Sequence, residues 1–207
     1  VFRDVYRIWI NGQENIQLGQ GKHSHKQSLH TLVEYNLFHH AWGDGEIFSS
    51  KTSHNTFRHN VAAHCPRAAF TLRGGNHATV DGNIMVGNGN GVRIFGCDHA
   101  IINNLIAPGA VTGNLHDPVN LDFRPKPGAA AVDAGLVTRP DDLTHPEARF
   151  EDPGCVGDSP DIGAYEHGAD QYWIPGRQKA QASTPVPPDG AVGVRPDADL
   201  MFLAGRH

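Results

Sequence analysis

Apolar positions in the first half of the chain come in short runs closed by a polar residue or a glycine, and an asparagine returns at the same place in several of them. VEYNLF, FRHNVA, VDGNIM and IINNLI set Asn36, Asn60, Asn83 and Asn104 at steps of 24, 23 and 21 residues. That interval is too short for a repeated domain and too irregular for a heptad, but it matches one turn of a solenoid. The runs are rich in β-branched and apolar residues, lack a helical period and are bounded by Gly and Asn, so they read as strands. Asparagine tolerates the left-handed backbone of a corner, and stacked asparagines can bond to one another along an axis.

The pattern predicts an all-β chain, a right-handed single-stranded parallel β-helix with coils of 21 to 24 residues and a C-terminal cap. A second register runs beside the first in GEIFSSK (45–51), FTLRGGN (70–76) and GVRIFGC (91–97), so each coil supplies at least two strands. Phe48, Phe70 and Phe95 fall in equivalent positions of that register and are expected to form a core stack. Equivalent positions in successive coils lie about 4.8 Å apart, so residues one coil apart in sequence become neighbours on the surface.

Composition changes near residue 108. Twelve of the 14 prolines follow it, and ten of the 14 histidines precede it. Residues 1–108 hold nine Lys and Arg against seven Asp and Glu, whereas 109–207 hold eight against fifteen, so the formal charge of -5 belongs to the second half. The expected organisation is a β-helix over 1–108, a closing segment over 109–177, and a Pro-rich linker over 178–207 that opens a truncated further β domain. Val1 falls inside a strand-like pattern, which is the reading expected of an excerpt from a longer chain. No run has the length of a membrane-spanning helix, and Cys65, Cys97 and Cys155 fit no metal-binding spacing. The basic residues are spread out with no nucleic-acid-binding module among them, and nucleic acid is not an expected partner.

The ordered series NGQENIQLG, TLVEYNLF, GDGEIFSSKTSHNTFRHN, FTLRGGN, VDGN, GNGNGVRIFG and DHAIINN, over roughly residues 7 to 107, resembles polysaccharide lyase family six. That β-helical group includes alginate lyases and chondroitinase B. DFRPKPGAAAVDAG and PDIGAYE resemble the closing part of many secreted bacterial right-handed β-helix proteins. By this resemblance Lys51 stands at the family's catalytic base and Arg73 at its acid, while Asn11, Asp44 and Glu46 fall where its calcium ligands lie. In the stretch after Arg73 the family carries a histidine where this chain has Gly74. The resemblance implies a monomeric, secreted or cell-surface protein, with the periplasm as another location, acting on an anionic polysaccharide, either alginate or a glycosaminoglycan.

The residues carry matching chemistry. Lys51 and Arg73 are 22 residues apart, one coil, so they are expected on neighbouring strands. A nearby cation disfavours the lysine ammonium while arginine stays charged, which would prepare Lys51 as a base. Asp44 and Glu46, two apart, would face the same way on an extended strand and offer the hard oxygens that calcium prefers. Arg93 lies in the coil after Arg73 and suits a second sugar carboxylate. His54, His77 and His99 are expected to line turns or a sugar-binding face, with His77 taken as a substrate contact. His39 and His40 would point to opposite faces of a strand. The resulting reading is a calcium-assisted β-eliminating polysaccharide lyase; the alternative is a catalytically silent, carbohydrate-binding β-helix within a larger surface protein. Hydrolysis is disfavoured, because Asp44 and Glu46 are too close along the chain for carboxylates acting across a groove.

Overall fold

The computed structural model of the chain describes residues 1–8, 12–21, 23–107, 113–137, 155–169, 183–186, 192 and 201–203. Its first coil contributes β1 (Phe2–Val5), β2 (Ile16–Leu18) and β3 (Leu32–Glu34), and the second β4 (Leu37–Ala41), β5 (Glu46–Ser50) and β6 (Thr56–Arg58). The third supplies β7 (Val61–Ala63), β8 (Ala69–Leu72) and β9 (Thr79–Asp81), and the next β10 (Ile84–Val86), β11 (Val92–Ile94) and β12 (Ala100–Ile102), before β13 (Leu105–Ala107). Strands equivalent in successive coils pair in parallel to give three sheets, β1-β4-β7-β10-β13, β2-β5-β8-β11 and β3-β6-β9-β12. The fold is an all-β parallel solenoid.

The asparagines form one column at the corner between the third sheet and the first. Asn36 Nδ2 donates to Asn60 Oδ1 at 3.1 Å, Asn60 Nδ2 to Asn83 Oδ1 at 3.0 Å, and Asn83 Nδ2 to Asn104 Oδ1 at 2.8 Å. Each Oδ1 also accepts the backbone N–H of the preceding asparagine in the column at 2.9 to 3.0 Å. Because Asn60 and Asn83 are fully buried, these side chains supply partners that a buried corner would otherwise lack.

The asparagines of this column are not themselves left-handed; three columns of left-handed residues turn the chain, namely Asp4, His40, His64 and Gly87; His30, His54, His77 and Asp98; and Tyr35, His59, Gly82 and Asn103, the last directly before the asparagines. Histidine is among the non-glycine residues enriched in that region. Stacking accompanies the geometry, with ring centroids 4.9 Å apart for His30 and His54 and 4.8 Å for His54 and His77. The expectation for His39 and His40 is corrected here. Left-handed His40, with φ of 52°, breaks strand alternation, and the two rings stack 4.0 Å apart on one side.

Inside, Phe48 stacks on Phe57 at 3.9 Å and meets Phe70 at 4.3 Å, and all three are fully buried. Phe95 does not join them. The strand register sets Val92 beside Phe70, and Phe95 falls next to Arg73 beyond the end of β11, where it is 49% exposed. The 25-residue step from Phe70 overshoots the 22-residue coil by three positions.

The chain divides into two compact units, Val1–Tyr172 and Trp173–His207. In the first, the end of the solenoid is met by chain from the segments 129–137 and 155–169. Asn103 exchanges hydrogen bonds with the backbone of Leu136 at 2.7 and 2.9 Å, and the Gly163 N–H donates to Asn103 O at 2.9 Å. Buried Asp161 ties these segments by accepting from the N–H groups of Asp133 and His167. A hairpin of β14 (Leu115–Asp117) and β15 (Asp122–Pro125) lies between. In the second unit, β16 (Ser183–Val186) pairs antiparallel with β17 (Met201–Leu203).

Candidate functional site

Lys51 and Arg73 follow directly on β5 and β8. The register pairs Ser50 with Leu72, so the two residues leave the sheet side by side. Lys51 N–H donates to Leu18 O at 2.9 Å and Arg73 N–H to Ser50 O at 2.7 Å, which fixes both backbones to the preceding coil. The side chains reach for different partners. Lys51 Nζ donates to Gln17 Oε1 at 2.9 Å. The guanidinium of Arg73, 53% exposed, donates through Nη1 to Glu46 Oε1 of β5.

Glu46 organises this edge. Its side chain is only 3% exposed, and Arg93 of β11 also approaches, with Nη1 3.6 Å from the same Oε1. The hydrogen bond from Arg73 to Glu46, then the charge of Glu46, and more distantly those of Glu14 and Asp44, hold the guanidinium above its ordinary pKa. Arg93 thus stands at the site with Arg73, sharing its carboxylate. His77 does not converge on it: its ring stacks on His54, and Nε2 lies 4.0 Å from Asp98 Oδ2 in the corner column.

Asp44 departs from the expected geometry because it lies in a bend before β5 rather than on the strand. Its Oδ2 accepts from Gly12 N–H at 3.1 Å, and its Oδ1 accepts from Gly45 N–H. Asn11 lies outside the described residues. Asn15, which the sequence reading passed over, belongs to the same edge: its N–H donates to Ile47 O at 3.0 Å, beside Glu46. Asn15 Oδ1 and Nδ2 and Glu46 Oε2 are all buried without a hydrogen-bond partner among the described residues. Unsatisfied buried polar atoms are rare and point to a missing partner. The signal in the sequence was the Asn directly before the apolar alternation IQL, where a side chain is positioned by a strand end.

A hard cation fits such oxygens, since calcium takes carboxylates and amide carbonyls. Among the described residues no three carboxylate, imidazole or thiol groups gather closely enough to hold a metal by themselves. Asn15 adds an unpartnered amide oxygen to the carboxylates of Asp44 and Glu46 along this edge.

The outward row of the same sheet, Gln17, Ser49, Thr71 and Arg93 by register, adds two buried hydroxyls, Ser49 Oγ and Thr71 Oγ1, likewise unpartnered among the described residues. Ser49 and Thr71 are fully buried, so the exposed surface of this row is Gln17 and Arg93, with Lys51 and Arg73 at its edge.

Parallel coils with a row of cationic and carboxylate side chains along one sheet define a β-solenoid with a charged face. The family model for chondroitinase B matches residues 10–127, more than half of the chain, and the chain belongs to that family. Among curated proteins there is no match. No helix among the described residues is long and apolar enough to cross a membrane.

Proposed function

We propose that the chain is a lyase that cuts a uronate-containing, glycosaminoglycan-type polysaccharide by β-elimination, with Lys51 as base and Arg73 as the group facing the leaving oxygen. The observation behind this reading is the placement of Lys51 and Arg73 side by side at the ends of β5 and β8, above an edge holding Glu46 and Arg93. Lys51, in its neutral amine form, takes the proton from the ring carbon next to the uronate carboxylate. The electron pair left behind forms a carbon–carbon double bond, and the bond to the glycosidic oxygen breaks. Arg73 is kept charged by Glu46, so it stabilises the departing oxygen by hydrogen bonding, and solvent supplies that oxygen's proton. Arg93 offers a planar fork to a neighbouring sugar carboxylate or sulfate.

Asn15, Asp44 and Glu46 are the residues that would hold calcium. When bound, the ion would neutralise the substrate carboxylate and so acidify the adjacent carbon. A polymeric substrate of this kind is consistent with a secreted or surface location. One observation favours a silent binding module instead: Lys51 and Arg73 are both already hydrogen-bonded, to Gln17 and Glu46. Incubation with dermatan sulfate and with alginate, following the ultraviolet absorbance of the unsaturated product, separates the two. Release of product that disappears in Lys51→Ala supports the lyase; binding of either polymer without product sinks it.

A further inference from the structure

At the corner between the first and second sheets, two rows of side chains run along the solenoid on either side of an inward-pointing row. One is the left-handed column Asp4, His40, His64 and Gly87. The other, two residues further along each coil, is Tyr6, Trp42 and Pro66. Between them, Ala41 and Cys65 turn inward and are fully buried. Successive residues on extended chain advance about 3.3 Å, so the two rows stand as ridges roughly 7 Å apart with a trough between. Tyr6 and Trp42 meet edge to face at 5.8 Å. Tyr6 Oη donates to Asp4 Oδ1 at 2.9 Å, tying the ridges together at the β1 end. At the other end the imidazole ridge stops at Gly87, where an added Cβ would come within 2.8 Å of the His64 ring. The result is a concavity of about 440 Å³ lined by Tyr6, His40, Trp42, His64, Pro66 and Gly87. That volume lies within the range of small-molecule sites.

The lining is amphipathic. Flat apolar faces on one ridge suit the C–H face of a pyranose, and imidazole nitrogens on the other can bond its hydroxyl or acidic groups. The charged and titratable groups around it are Arg3, Asp4, His39, His40 and His64. Burial first, and then the nearby charges of His40, Arg3 and His64, hold the His39 pKa below the ordinary imidazole value, with Asp4 acting in the opposite direction. Asp4 is itself engaged by Tyr6 and lies 3.4 Å from His40 Nδ1.

We infer that this trough is a second, non-catalytic site for an acidic saccharide, holding one or two sugar residues of a polymer chain between Trp42 and the His40–His64 ridge. It lies at the opposite end of β5 from Lys51, so a chain held here can stay attached while another stretch is presented to the reactive edge. The acidic class of ligand rests on the lyase reading; the trough itself does not.

The experiment uses the full chain carrying Trp9→Phe and Trp173→Phe, so that Trp42 is the one remaining tryptophan, with Lys51→Ala added to prevent cleavage. Titration with a dermatan sulfate tetrasaccharide is expected to change Trp42 emission saturably. Tyr6→Ala and His64→Ala, both at exposed positions, are expected to weaken that binding at least tenfold while the circular dichroism spectrum stays the same. A flat titration, equal binding of maltotetraose, or unchanged affinity in both variants overturns the inference. Product release by the Lys51 chain with a silent Trp42 removes the trough and leaves the lyase reading standing; a saturable Trp42 signal in a chain inert towards every uronate polymer does the reverse.

Discussion

Replacing Asn60 with alanine tests whether the asparagine column holds the solenoid together or merely decorates it. The Asn60 side chain is fully buried. Its Nδ2 donates to Val33 O at 2.9 Å, Arg58 O at 3.0 Å and Asn83 Oδ1 at 3.0 Å, and its Oδ1 accepts from Asn36 N at 3.0 Å and Asn36 Nδ2 at 3.1 Å. A net hydrogen bond is worth about 1 kcal/mol, and a buried group left without a partner costs about 1–3 kcal/mol. Because several of these contacts share atoms, Asn60→Ala is expected to cost about 3–5 kcal/mol, a large part of the roughly 5–15 kcal/mol that stabilises a domain. Asn104, at the far end of the described column and only half-buried, makes four such contacts. Water can replace some of them, so Asn104→Ala should cost about 1–2 kcal/mol by the same rule. Urea unfolding followed by circular dichroism measures both. A change below about 1 kcal/mol for Asn60→Ala, or a cost no greater than that of Asn104→Ala, would refute the reasoning.

Further outcomes are expected at the site and in the core. Lys51→Ala should lower the rate of unsaturated product formation about 100-fold or more, typical of a positioned base, with little change in melting temperature; Arg73→Lys should lose most activity, because lysine keeps the charge but not the fork. Calcium should raise the melting temperature of the parent by mass action, and Asn15→Ala should abolish that rise; equal shifts in parent and variant would exclude Asn15 as a ligand. Burial pushes the Cys65 thiol from 9.0 up to about 11. Its contribution to stability is therefore whole below about 9 and is lost as pH rises through about 11, so urea midpoints across that interval should fall more steeply in the parent than in Cys65→Ala. Thiol labelling of the native chain should modify exposed Cys97 and Cys155 and spare Cys65.

The solenoid was legible because one residue type recurred at the coil interval for a single physical reason. A buried corner with unpaired N–H and C=O groups can be satisfied by a short amide in every coil, and the column of Asn36, Asn60, Asn83 and Asn104 repeats that solution. The left-handed positions, one column of them directly before the asparagines, are just as regular in backbone, yet are filled with Asp, His, Tyr, Asn or Gly. Left-handed geometry constrains the backbone more than the side chain, so no recurring letter marks them. The same looseness misplaced Phe95: spacing alone could not tell a core position in β11 from one just beyond its end, because coils differ in length by a few residues.

At the site, the pairing of Lys51 with Arg73 was readable from one number, the coil length, whereas their partners were not. Which way a long side chain turns depends on what its neighbours leave unsatisfied, and here buried Glu46 draws in Arg73 and Arg93 together. That competition defines what the site must do to work. A carboxylate shared by two guanidiniums is a poor free ligand, but among the described residues its second oxygen is buried and unpartnered, as are both polar atoms of Asn15. Such an edge combines cations with buried oxygens that the described residues leave unpartnered. An acidic sugar would satisfy the cations and a hard metal the oxygens. If that complementarity holds, saccharide and calcium should each tighten the binding of the other, because each supplies the charge the other's ligands lack. Titrating a dermatan sulfate tetrasaccharide into the Lys51→Ala chain with calcium and with chelator measures this coupling, and identical affinities in the two would show that the oxygens and the cations serve separate purposes.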